Sequence, residues 1–439
     1  RRLRACRQHH RIAAELSDFP SAKYRSLVRL GDICSQLGLF EDSISAYKKA
    51  LKVLRKPDGI SRKSMVHIRI MDVYYKQGRF RDSYCAIRKA KRCTGNIEDP
   101  AAKSLLNRGF GINFRARKKY GIATKYFRKA LTEARLSKDK EIHFRAFENL
   151  GITYNQQGRG EKAVPCFEKA LSIAKALGNK NHISSCYVNM GKMYFHEGDY
   201  DRALSQFQLA LKICTREKDH NKRLLIISNI ASIHFAMGKL LLAQKHYRIL
   251  LKKHIQSGNK AAAAFVYGAL GNILLKQKKY SEAIGYYKKS IDGYTMADKL
   301  NSLSSLFCNV GLCYRFMNKF SLAERYFIKQ IKFDKESYNK EGQMRGLLNL
   351  STVYVRTNRR DKALKNYNKV IKESLKHNLK NCLAVAYLNS AELYMEIGDT
   401  KKAGLVNLKC LSVSKAMNMQ EVIHESNKLN LKLKSKKND

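Results

Sequence analysis

Apolar residues recur at intervals of three and four along nearly the whole chain. Around Ala203, Phe207, Ala210 and Leu211 they form the stripe of an amphipathic helix, not the alternation of a strand. The stripes come in pairs, and the pairs return every 40 residues in one frame. RLGDICSQLGLFEDSISAYKKAL, NLGITYNQQGRGEKAVPCFEKAL, NMGKMYFHEGDYDRALSQFQLAL and NVGLCYRFMNKFSLAERYFIKQI align without insertion or deletion, and ten such units fit. Two helices cannot bury an apolar face alone, so repetition at this period predicts a stack in which each pair covers the next.

Two columns of small residues run through the units. One reads Gly31, Met71, Gly111, Gly151, Gly191, Ala231, Gly271, Gly311, Ser351 and Ala391, with Met71 its one large member. Twelve residues on, the second holds alanine in eight units and Ser43 and Ser83 in the others. Small side chains there let antiparallel helices approach closely. Aromatics four residues later, among them Tyr47, Phe127, Phe167, Phe207, Tyr287, Phe327 and Tyr367, are expected to fill the space between repeats. Gly38, Gly78, Gly158, Gly198, Gly238 and Gly398 suit the residue that ends a first helix, and Asp139, Asn179, Asp219 and Asn259 mark the link to the next unit. Nothing after Pro165 is barred from a helix by proline.

These columns resemble the tetratricopeptide repeat over residues 21–425. The family's period is about 34 residues, and its helix-ending proline is absent from every unit. The two departures explain each other, since a second helix without that proline can run on by more than a turn. Forty-residue units resemble the Pins/LGN group of scaffolds and, more loosely, kinesin light chains. The resemblance implies an all-α, right-handed superhelical solenoid of about ten antiparallel helix-pair repeats. It would be preceded by a basic helical cap at 1–20 and followed by a frayed basic tail at 426–439.

In that family the first helix of each unit lines a concave groove, and the residue two before the small column faces it. Here that position reads Asn149, Asn189, Asn229, Asn309, Asn349 and Asn389 in six of ten units, with Arg29 and Arg69 in the first two. Asparagine is a mediocre helix former, so its recurrence on one face implies a task. A carboxamide both donates and accepts, so it can grip the backbone of an extended ligand or bridge neighbouring repeats. Other groove positions add cations: Arg145, Lys192, Arg315, Arg345 and Arg356, with Arg25, Arg108, Arg115 and Lys276. Arg29, Arg69 and Arg145 are the expected anchors near one end, because a guanidinium pairs a carboxylate through two bonds. Acids are fewer: Asp32, Asp72, Glu148, Glu392 and Glu396. The lysine and asparagine set with which some family members clamp chaperone tails is not found.

Charge sharpens the picture. Lysine and arginine number 86 against 36 acids, a net charge of +50. Such a field favours an acidic protein segment as partner. A second basic stripe, Lys48, Lys49, Arg88, Lys89, Arg128, Lys129, Lys169, Lys288, Lys289, Lys329 and Lys369, falls late in the second helices and should be convex and exposed. Through it the alternative partners are nucleic acid or a tubulin surface, and the 24 tyrosines would supply stacking surfaces, although most sit in core columns.

The 11 cysteines show no CxxC pair and read as reduced core thiols, which implies an intracellular chain, cytoplasmic with nuclear or cytoskeletal association open. No apolar run is long enough for a membrane span. The start at Arg1 fits a fragment or a processed chain. No phosphate loop, zinc-protease pair, nucleophile elbow or dinucleotide fingerprint occurs, so neither an enzyme nor a cofactor or metal is expected. The function expected is that of a non-catalytic scaffold or adaptor.

Overall fold

A computed structural model describes residues 2–17, 19–54, 60–94, 99–298 and 300–438. Arg1 and Asp18 of the expected cap, Pro57, and Asp439 of the expected tail lie outside the described residues. Among the described residues there are 22 α-helices and no strand. Helix α1 spans Arg2–Leu16, and ten pairs follow: α2 (Pro20–Gln36) with α3 (Phe40–Val53), α4 (Ile60–Lys76) with α5 (Phe80–Cys93), α6 (Pro100–Ala116) with α7 (Tyr120–Ser137), α8 (Lys140–Gln156) with α9 (Gly160–Ala176), α10 (Lys180–His196) with α11 (Tyr200–Arg216), α12 (His220–Ala236) with α13 (Leu240–Gln256), α14 (Lys260–Lys276) with α15 (Tyr280–Met296), α16 (Leu303–Phe316) with α17 (Phe320–Glu336), α18 (Lys340–Arg356) with α19 (Arg360–His377), and α20 (Lys380–Glu396) with α21 (Thr400–Ala416). Helix α22 (Gln420–Asn438) closes the series.

The chain divides into two compact units, residues 1–233 and 234–439. Within each, a first helix packs on its own second helix and on the first helix of the neighbouring pair, as α6 does on α7 and α8, and α18 on α19 and α20. This is the expected all-α solenoid of helix pairs.

The small column is explained by what lies on it. A Cβ added to Gly151 would stand 2.7 Å from the Phe167 ring, and one on Gly311 would stand 2.6 Å from Phe327. The aromatic therefore seats its edge on the glycine of its own unit, where the sequence reading had placed it between repeats. Where the alanine column holds serine, the hydroxyl finds the same carbonyl line: Ser43 Oγ donates to Gly31 O at 2.7 Å and Ser83 Oγ to Met71 O at 3.2 Å.

Turns follow the sequence. The six glycines expected to end first helices all have positive φ, and Leu39 N–H closes the turn onto Cys34 O at 2.9 Å. Four units without that glycine force Lys118, Lys278, Asn318 and Asn358 into the same left-handed conformation, a strain that asparagine bears better than lysine. At the links, Asp139 accepts from the N–H groups of Glu141 and Ile142, and Asn179 from those of Asn181 and His182. Each such cap contributes about 1 kcal/mol.

The segment expected as a frayed tail behaves differently. Helix α22 continues to Asn438, and its Leu429 and Leu433 are buried with Ala391 and Ala403. The lysine run masked two apolar residues four apart, which face inward on one helix side.

Candidate ligand-binding face

The face is made by the first helices, whose position nine residues into a full-length helix carries the asparagines. Packing one first helix on the next brings four of the six amides to the preceding repeat. In the unit of residues 1–233, Asn189 Nδ2 donates to Glu148 Oε1 at 3.2 Å. In the unit of residues 234–439, Asn309 Nδ2 donates to Asn272 Oδ1 at 3.0 Å, Asn349 Nδ2 to Cys308 Sγ at 3.3 Å, and Asn389 bonds the Tyr367 phenol. Asn149 turns its amide back to Arg145 O at 2.8 Å, while Asn229 Nδ2 is buried with no hydrogen-bond partner in the structure. Bridging thus engages four of the six amides, and each keeps a carbonyl oxygen or a second N–H, because a carboxamide carries two donors and an acceptor.

The arginines divide into two groups. Arg69 Nε stands 3.2 Å from Asp32 Oδ1, which also accepts the Tyr47 phenol at 2.7 Å. Arg108 Nη2 reaches Asp72 at 3.0 Å, and Arg145 grips Glu141 with Nε and Nη2 at 2.9 and 2.8 Å. The expected anchors Arg69 and Arg145 are therefore already paired within the fold, while Arg29 is exposed. Arg115 donates to Asn149 O at 3.3 Å and lies over the Phe127 ring, with burial lowering its pKa. Burial also lowers the pKa of Lys192 and raises that of Glu148.

The second unit differs. A cavity of about 730 Å³ is bordered by α16, α18 and α20, and it brings together Arg315, Arg356 and Asn389 of the expected groove. Arg315 Nη1 donates to Thr352 Oγ1 at 3.0 Å and its guanidinium lies over the Phe316 ring. Arg356 and Arg345 are exposed, though Arg345 does not border the cavity. Glu392 and Glu396, two of the few acids expected on this face, form another part of the wall. Burial raises the Glu392 pKa, and Glu425 and Glu396 push it the same way against the opposing charge of Lys432. The signal in the sequence was present, since the last complete repeat alone places glutamates at both positions 392 and 396.

On the second helices, every one of the eleven basic residues predicted to be exposed is exposed, from Lys48 to Lys369. The cysteines conform less evenly: seven are buried, Cys93 and Cys308 are half-buried, and Cys6 and Cys85 are exposed, so the reading of all as core thiols fails at the last two. Those two lie on helix faces that the three-and-four stripe already leaves outside. Among the described residues no His, Cys, Asp or Glu cluster could hold a metal, and no helix is long and apolar enough to cross a membrane.

These features define a helix-pair repeat protein with a polar face built from successive first helices. The chain carries tetratricopeptide repeats: two models of that repeat match it, one at residues 101–176, 143–216 and 222–296, the other at 24–53 and 345–377. No curated protein matches the sequence. Among solved structures, aspartyl phosphate phosphatase F from Bacillus subtilis is similar at 15% identity and TM-score 0.54, covering 82% of this chain and 95% of that one. The apo quorum sensor NprR from B. thuringiensis is similar at 16% identity and TM-score 0.57, covering 79% and 97%. A Rap protein complexed with competence and sporulation factor aligns at 11% identity and TM-score 0.53, over 76% and 98%. At these identities the likeness is one of fold.

Proposed function

We propose that the chain is a non-catalytic adaptor whose first-helix face holds an extended acidic segment of a protein partner, in the manner of the Pins/LGN scaffolds its repeat length resembles. The observation that carries this reading is the cavity at α16, α18 and α20. There Arg315, Arg356 and Asn389 line one cavity, with a volume in the range of ligand pockets. The asparagine ladder, Asn149, Asn189, Asn229, Asn309, Asn349 and Asn389, supplies backbone contacts through the donors and acceptors that bridging leaves over. Arg29, Lys192 and Arg345 add attraction, whereas Arg69 and Arg145, already paired with Asp32 and Glu141, hold the helices of the face in place. A neighbour of the same fold was solved holding competence and sporulation factor, which supports ligand capture by such a face.

Replacing Arg315 and Arg356 by alanine should reduce binding of an acidic peptide in fluorescence anisotropy at physiological salt, with circular dichroism unchanged. Equal binding by the variant would remove the adaptor reading. A second reading, nucleic acid on the second-helix face, draws on the exposure of its basic residues and on Lys289 lying over Tyr267 and Tyr286. Charge reversal at Lys288, Lys289, Lys329 and Lys369 would then flatten the salt dependence of RNA binding and leave peptide binding intact.

A further inference from the structure

The cavity in the second unit is not uniformly basic, and its charges follow the repeat. The residues that end α16, α18 and α20 are Phe316, Arg356 and Glu396, the same helical position in three successive repeats, and all three border the cavity. One turn earlier, Thr352 and Glu392 border it from α18 and α20. A cationic step on one helix is thus followed by an anionic step on the next.

Elsewhere in the chain such acids are consumed. Asp32 and Asp72 hold the position of Glu392 in the first two repeats, and each is met by an arginine from the following first helix, Arg69 and Arg108. At the two corresponding places after Glu392, α22 carries Leu429, which is buried, where Arg69 stands, and Lys428, which is exposed, where Arg108 stands. The following helix therefore supplies no arginine at either place, in a protein whose net charge is +50. Lys432 of α22 offsets part of the Glu392 charge, and Glu425 adds to it.

Neighbouring first helices are in contact here, α16 with α18 and α18 with α20. Packed helices lie about 8–10 Å apart, and an extended chain rises about 3.3 Å per residue, so one repeat corresponds to about three ligand residues. Resting on the adaptor reading, we propose that this cavity selects a bipolar segment, with an acidic residue opposite Arg356 and a basic residue about three positions away opposite Glu392 and Glu396. The arginine step alone would take any acidic stretch; the glutamate step rejects one that stays acidic across both repeats, since like charges placed together oppose binding.

The test uses the full chain and three fluorescein-labelled serine-rich peptides at physiological salt. One carries an Asp–x–x–Lys pair, one the reversed Lys–x–x–Asp pair, and one an Asp–x–x–Asp pair. The better of the two bipolar peptides should bind about tenfold more tightly than the all-acidic one, the effect of about one charge contact. The E392K/E396K variant, its fold checked by circular dichroism, should prefer the all-acidic peptide. If the all-acidic peptide binds the unaltered protein as well as or better than both bipolar ones, or the variant keeps the original preference, the bipolar reading is overturned. If the all-acidic peptide wins and its binding is lost in R315A/R356A, the adaptor reading survives and only the bipolar one falls. Binding by none of the three overturns both.

Discussion

In the unit of residues 1–233, three arginines of the first-helix face meet carboxylates of that face: Arg69 with Asp32, Arg108 with Asp72, Arg145 with Glu141. In the unit of residues 234–439, Arg315 donates to a hydroxyl and Arg345 and Arg356 are exposed. The same residue type on the same helical face thus serves as a clasp between or within helices in one unit and, among the described residues, meets no carboxylate of that face in the other, where the proposed ligand would find it. Counting cations in the sequence could not separate the two uses, because the difference lies in what the neighbouring first helix places opposite.

Variants can break or sharpen this contrast. The largest effect is expected where the units should not differ. Gly151→Val and Gly311→Val each drive a side chain into the ring seated there, Phe167 or Phe327, and each should cost about 3 kcal/mol in urea denaturation. Unequal losses would show that the glycine seat carries different loads in the two units. Next come the arginines. R315A/R356A should weaken acidic-peptide binding by about 2 kcal/mol, some 30-fold, while R69A/R145A changes affinity less than about threefold and lowers the melting temperature instead. The asparagines follow: Asn309→Ala removes a bond to Asn272 and should cost about 1 kcal/mol of stability. Asn229→Ala, which removes a buried amide nitrogen without a partner, should cost nothing measurable or stabilise.

The smallest effect is a pH dependence. Burial raises the Glu148 pKa above its ordinary 4.5, against the pull of His182, Arg145 and Arg115. The folded state then binds a proton that the unfolded state has released, so stability falls as pH rises from 4.5 through the raised value. Glu148→Gln keeps an acceptor for Asn189 and should raise stability at pH 7 by under about 1 kcal/mol, with the gain vanishing below pH 4.5. Melting curves at pH 4 and 7 decide this. Glu392, also raised by burial, gives the same sign in the other unit.

Much of the fold was legible because its rules are local. Gly38 or Gly198 at a helix end, Asp139 at a helix start, and alanine opposite glycine each state a steric or hydrogen-bonding requirement that one residue satisfies. The frame of 40 then multiplied ten weak signals into one strong one. Legibility failed where the answer depended on a second helix. Arg69 reads as a ligand anchor until Asp32 comes within 3.2 Å, and Asn309 reads as a backbone grip until Asn272 accepts its amide. Leu429 and Leu433 were hidden by the lysines around them. Glu392 and Glu396 were visible in the sequence, but their meaning required the cavity that sets them beside Arg356.

The ring seated on a glycine has a consequence for how such a chain can change. That contact fixes the separation of two helices without help from the last residue of the first helix. That last residue accordingly runs through Gln36, Lys76, Ala116, His196, Phe316, Arg356 and Glu396 with no break in frame. The residues that set the helix spacing and those that vary at the helix end are thus different ones. A new binding preference is then reachable by exchanges that cost about 0.5 kcal/mol or less of stability, so partners can be gained or lost while the architecture stays as it is.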